Sequence, residues 1–141
     1  MTTRVDFYVI AEAEPRARAR FACALIEKAY SQGHRVHLHC SDAAEAETLD
    51  SLLWTFRDKA FVPHALRHGD EPVVVGHDEP AAAKREVLVN LAPVVPAWFA
   101  SFARVAEVVS EDPAVKAAGR ERFKFYREQG CTPETHKLGG A

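Results

Sequence analysis

The sequence predicts an α/β protein, a single-domain three-layer fold with a mainly parallel sheet flanked by helices. Three observations lead there. Apolar segments of strand type alternate with segments of helical spacing, the pattern of βα units joined by right-handed crossovers. The segment Glu86-Val87-Leu88-Val89-Asn90-Leu91 reads as a strand buried on both faces, the kind that parallel sheets use. The chain has 141 residues, of which 48% are apolar and 27% charged, enough for one real core and too apolar for disorder.

Taken in order, Val5-Asp6-Phe7-Tyr8-Val9-Ile10 is β-branched and aromatic and predicts the first strand. Pro15 suits a first helical turn, Phe21, Ala22, Leu25, Ile26 and Ala29 recur at helical spacing, and Gly33 is the expected stop. From Arg35 to Cys40, Val36, Leu38 and Cys40 alternate with His37 and His39, as in a second strand. Asp42 and Glu45 form a capping box for a helix whose apolar stripe is Leu49, Leu52, Leu53 and Phe56. Trp54 projects about 100° beyond Leu53 and away from the centre of that stripe, so it is expected to be partly exposed.

Residues 57–80 carry Pro63, Gly69, Pro72, Gly76 and Pro80 and predict loop around one short strand, Val73-Val74-Val75. His64 and His68 read there as turn residues, and the apolar pair Phe61-Val62 needs cover from elsewhere. Pro93 and Pro96 precede a short aromatic turn, Ala97-Trp98-Phe99-Ala100, and Arg104 to Val109 gives another strand. Asp112-Pro113 opens the last helix and Gly130 ends it. The domain is thus expected to span residues 1–130, with residues 131–141 as a flexible C-terminal tail.

Several function classes lose ground at once. The first strand-to-helix turn reads Ala11-Glu12-Ala13-Glu14-Pro15, with no glycine for close backbone approach and two acids that repel phosphate, so the fold is nucleotide-binding-like without a phosphate loop. No cofactor is expected. His34, His37 and His39 with Cys40 are metal-ligating types, but His37 and Cys40 point to opposite faces of one strand and no second ligand cluster follows, so no metal is expected either. Cys40 as a nucleophile with His64 or His39 as base lacks an ordering group, and a core cysteine is the simpler reading. Cys23, Cys40 and Cys131 are odd in number and widely spaced, which suits free thiols in a reducing compartment. With no run of eighteen apolar residues and no signal-like N-terminus, a cytoplasmic protein is expected, away from membranes.

Against this background stands Arg120-Glu121-Arg122-Phe123-Lys124-Phe125-Tyr126-Arg127, four cations and three aromatics on eight residues of a chain with net charge −2. At about 100° per residue, Arg120, Lys124 and Arg127 fall within about 60° of one another, with Phe123 beside them. The opposite side can pack inward. A guanidinium pairs a carboxylate or phosphate through two parallel hydrogen bonds, and a neighbouring ring supplies a dry wall. The same features also fit a solvated last helix whose cations face the negative end of its own dipole. The acidic balance argues against coating DNA, since nonspecific affinity requires many cations.

Two segments in this order, Leu49-Asp50 through Leu53-Trp54 to Phe61-Val62-Pro63-His64 and then Arg120 to Arg127, resemble the chi subunit of bacterial DNA polymerase III holoenzyme. The resemblance runs from the Phe7-Tyr8 strand to Gly130 and implies a non-catalytic adaptor in the clamp-loader assembly. Its implied partners are the psi subunit and the acidic C-terminal tail of single-stranded DNA-binding protein, with DNA contacted mainly indirectly. The tail-binding positions it implies are Arg120, Phe123, Lys124 and Arg127, with Trp54 as a weaker member. An apolar slot for the tail's terminal ring is expected near Phe123 or Val115. The implied psi contact is Phe61, Val62 and Pro63. Two other readings remain beside it: direct single-stranded DNA binding by the basic-aromatic helix, and a small-molecule enzyme on a nucleotide-like fold.

Overall fold

The computed structural model describes residues 3–56, 62–66, 71–77 and 86–138. Its strands are β1 (Arg4–Ile10), β2 (Val36–His39), β3 (His64–Leu66), β4 (Val73–Gly76), β5 (Val87–Asn90), β6 (Arg104–Val109) and β7 (Glu134–Leu138). Its helices are α1 (Pro15–Ser31), α2 (Ala43–Thr55) and α3 (Pro113–Glu128), with one 3-10 turn at Phe99–Ser101. All seven strands lie in one sheet in the order β3-β4-β2-β5-β6-β1-β7, and every pairing is parallel. The expected α/β class and parallel sheet are therefore present.

The alternation along each strand divides the core in two. On one face Leu38, Val89, Ala106 and Val108 pack under α1 and α2 through Ala22, Ile26, Leu49 and Leu53. On the other, Val5, Phe7, Val105 and Val109 pack under the 3-10 turn and α3 through Phe99, Phe102 and Tyr126. This puts α2 and α3 on opposite sides of the sheet, which decides below which residues can share a site. The capping box forms as read: Asp42 accepts from the Glu45 N–H at 2.8 Å, and Glu45 accepts from the Ser41 N–H at 2.7 Å.

Two elements differ from the sequence reading. His64 opens β3 and is buried, with Nδ1 2.7 Å from the Val62 carbonyl and Nε2 3.0 Å from the Asp50 carbonyl. A three-residue strand among prolines and glycines leaves no periodic signal. At the opposite edge, the expected flexible tail contains β7, paired with β1 from Asp6↔Glu134 to Ile10↔Leu138. Glu-Thr-His-Lys-Leu looks like loop because an edge strand exposed on most positions has no reason to be apolar.

A charge network ties that edge down. Asp6, wholly buried, accepts from Arg4 Nε and Arg104 Nε at 3.2 Å each and lies 2.9 Å from His136 Nε2. Burial alone would raise the Asp6 pKa, but the His136 hydrogen bond and the Arg4 and Arg104 charges together outweigh it and hold the carboxyl below its usual range. A depressed folded pKa means that the unfolded chain binds more protons. The contribution is complete above the unfolded pKa of about 3.9 and is lost as pH falls through the folded value. Urea midpoints measured from pH 6 down to pH 3 are expected to fall less steeply in Asp6→Asn than in wild type; parallel curves would contradict this role.

Candidate functional site

The site begins with how α3 is anchored. Asp112 caps it, accepting from the Ala114 and Val115 N–H groups at 2.9 and 3.2 Å, and Gly130 follows it at φ +87°, a left-handed turn suited to glycine. Its inward face is Gly119, Arg122 and Tyr126. Arg122 donates from Nε to Glu107 at 2.8 Å and from Nη1 to the Pro93 carbonyl at 3.1 Å. Tyr126 Oη donates to Glu107 at 2.6 Å, and Asn90 donates to the same oxygen at 2.9 Å. Burial pushes the Glu107 carboxyl up, against the Arg122 charge and these donated bonds, and burial with the Glu107 charge pushes the Tyr126 hydroxyl up. One of the four cations of the basic stretch is thus a buried strut whose partner lies on β6.

With Arg122 turned inward, Arg120, Lys124 and Arg127 face water, and among the described residues none of their side chains makes a hydrogen bond or ion pair. Phe123 is half-buried, its ring 5.2 Å from that of Phe7. Between α3, β1 and β7 runs a groove of about 620 Å³. Its apolar lining includes Phe7, Val9, Val109, Phe123 and Leu138, while Lys116, Arg120 and Lys137 bring cations to it. Gly119, which also lines it, lets α3 lie close on β6, because a Cβ there would stand 3.0 Å from Val109 Cγ2. One acid also lines the groove, Glu111, and it is held by Lys116 at 3.3 Å.

The expected tail-binding residues do not all meet here. Arg120 and Phe123 line the groove, and Lys124 and Arg127 extend the charge along the same helix. Val115 is not among the lining residues; it packs against the same apolar cluster and borders a crevice of about 100 Å³ beside Pro15, Arg18 and Ser110, while Val109 lines the groove. Lys116 and Lys137 went unread; Lys116 lies one turn before Arg120 on the same helix, and only the pairing of β7 with β1 brings Lys137 there. Trp54 is 49% exposed, as its helical angle predicted, but it belongs to α2, across the sheet from α3. Its ring lies 4.2 Å from that of His64. Of the expected psi contact, Phe61 lies outside the described residues, Val62 is completely buried in the core and Pro63 is half-buried.

Other candidate chemistry resolves into structure. Arg18 donates to the Val108 and Leu91 carbonyls at 2.8 and 3.1 Å, filling the carboxyl ends of β6 and β5 where an open α/β sheet would hold a ligand. Cys40 is wholly buried, and burial followed by the Glu45 and Asp42 charges pushes its thiol up, away from the thiolate a nucleophile needs. His37 and His39 pack their rings on Trp98, at 5.5 and 4.9 Å. Among the described residues, the one grouping with metal-ligand types is Asp6, Glu134 and His136, and the two guanidiniums on Asp6 disfavour a cation there. No helix among the described residues is long and apolar enough to cross a membrane.

With this geometry, comparison with known families is decisive: the family described as DNA polymerase III chi subunit, HolC, matches residues 1–134. The chain belongs to the chi family. A DNA polymerase III subunit chi from Pseudomonas aeruginosa is 49% identical over 138 residues, spanning 96% of this chain and 97% of its own. The chi subunit from Haemophilus influenzae is 28% identical over 99% of this chain and its own full length, and that from Escherichia coli is 28% identical over 82% of each. Membership in the chi family makes this a DNA replication protein.

Proposed function

We propose that this chi chain is a non-catalytic adaptor of DNA polymerase III holoenzyme, linking the clamp loader, through psi, to the acidic C-terminal tail of single-stranded DNA-binding protein in the cytoplasm. The observation that carries the proposal is the row of cations, Arg120, Lys124 and Arg127, without an acidic partner among the described residues and beside an apolar groove, on a chain whose net charge is −2. Cations held apart from a chain's own acids, next to apolar surface, fit a ligand that is both acidic and apolar. A tail ending in an aromatic residue has that chemistry. Its terminal ring fits between Phe7, Val109 and Phe123, and its carboxylates reach Arg120 and Lys124.

Direct single-stranded DNA binding fits less well. Stacking needs open ring faces along one path, yet Phe123 is packed on Phe7 and Trp54 lies across the sheet. The psi contact is assigned to Pro63 and Phe61, the loop that the resemblance implicates, and Trp54, which the resemblance gives to the tail, is moved to it because it is exposed across the sheet from α3 and an exposed tryptophan is a common interface anchor.

This reading makes the two contacts separable. In co-purification and peptide titration, Trp54→Ala is expected to lose psi while binding a tail peptide as wild type does. A naked oligonucleotide is expected not to compete for the peptide. Loss of tail binding in Trp54→Ala, or displacement by the oligonucleotide, would count against the adaptor reading.

A further inference from the structure

We infer that β7 forms the second wall of the tail receptor and that Lys137 is a contact for the tail's acidic run, an inference that rests on the tail-binding reading above. β7 pairs with β1 in the register Phe7↔Thr135 and Val9↔Lys137. Parallel partners in register point to the same face, and Phe7, Val9, Thr135 and Lys137 all line the groove. Lys137 is exposed and makes no ion pair among the described residues. The groove therefore has a free cation on each side, Arg120 on α3 and Lys137 on β7.

The alternate residue of β7 does different work. His136 points to the other face and holds Asp6 at 2.9 Å, so the strand that carries Lys137 is pinned from behind by the network of Arg4 and Arg104. This accounts for the composition of β7: a strand whose residues serve as a charged wall in front and an ion-pair anchor behind has little need of apolar side chains. Glu111, the one acid among the described residues that line the groove, is paired with Lys116, which leaves Arg120 and Lys137 as the lining cations with no acidic partner among the described residues. The acidic run is thereby directed toward Arg120 and Lys137. An acidic peptide with an apolar end satisfies both walls and the lining between them; a single carboxylate does not.

The test is fluorescence-anisotropy titration of the full chain with a labelled peptide copying the acidic tail, at two salt concentrations. Lys137→Ala is expected to weaken binding about three- to fivefold at low salt and to flatten the salt dependence, the scale of one partly exposed charge pair. Lys137→Arg is expected to restore both. If Lys137→Ala binds as wild type while Arg120→Ala weakens, the β7 inference falls and the tail receptor stands. If neither variant changes affinity, the tail receptor falls as well.

Discussion

Replacing Glu107 with alanine is expected to lower the free energy of unfolding by about 3 to 5 kcal/mol, the penalty for stranding a buried charge. Glu107 is completely buried and receives hydrogen bonds from Arg122, Tyr126 and Asn90. Its removal leaves Arg122 Nε and the Tyr126 hydroxyl without their acceptor, with Arg122 Nη1 and the Asn90 amide keeping only the Pro93 and Val94 carbonyls, and it opens a cavity between β6 and α3. Glu107→Gln keeps the volume and part of the bonding, so a smaller loss is expected. Urea unfolding with a fixed slope measures both. A loss under about 1 kcal/mol in Glu107→Ala would mean that α3 is held by apolar packing alone. Because the same network sets how α3 is rotated on the sheet, surviving folded protein is also expected to bind the tail more weakly.

Arg120→Ala is expected to act in the opposite sense, on binding and not on folding. Its guanidinium is exposed and has no acidic partner among the described residues, so stability should stay within about 0.5 kcal/mol of wild type. Tail-peptide affinity, in contrast, is expected to drop by about 1 to 3 kcal/mol, the range for a lost charge-assisted pair beside an apolar wall. Calorimetry at low salt gives the affinity, and thermal melts of the same samples give the stability. Unchanged affinity would remove Arg120 from the site.

The two variants also separate what was legible in the sequence from what was not. Helical spacing alone puts Arg120, Lys124 and Arg127 on one stripe, because the period of a helix depends only on chain geometry. The same arithmetic exposes Trp54. Neither inference needs tertiary information. Lys116 sits one turn before Arg120 and Lys137 lies ten residues beyond Arg127, and only the pairing of β7 with β1 brings the latter to the groove. Glu107 was unreadable for a related reason: a carboxylate in a strand of valines says nothing of Arg122 until α3 crosses β6. The position of Trp54 across the sheet from α3 likewise follows from sheet order, which no local pattern encodes. Val115 shows the limit of angular reasoning most plainly. The slot was expected near Phe123 or Val115; Phe123 lines the groove, whereas Val115 borders a separate crevice with Pro15 and Arg18, a difference that the helix by itself does not encode.

The most direct measurement of the central claim, that the α3 and β7 groove receives an acidic peptide tail, is amide chemical-shift mapping of the labelled chain during titration with that peptide. Saturable shifts are predicted at Gly119, Arg120, Phe123, Thr135 and Lys137, with Trp54 and His64 undisturbed. Shifts centred on Trp54 and His64, or none at all at saturating peptide, would contradict it.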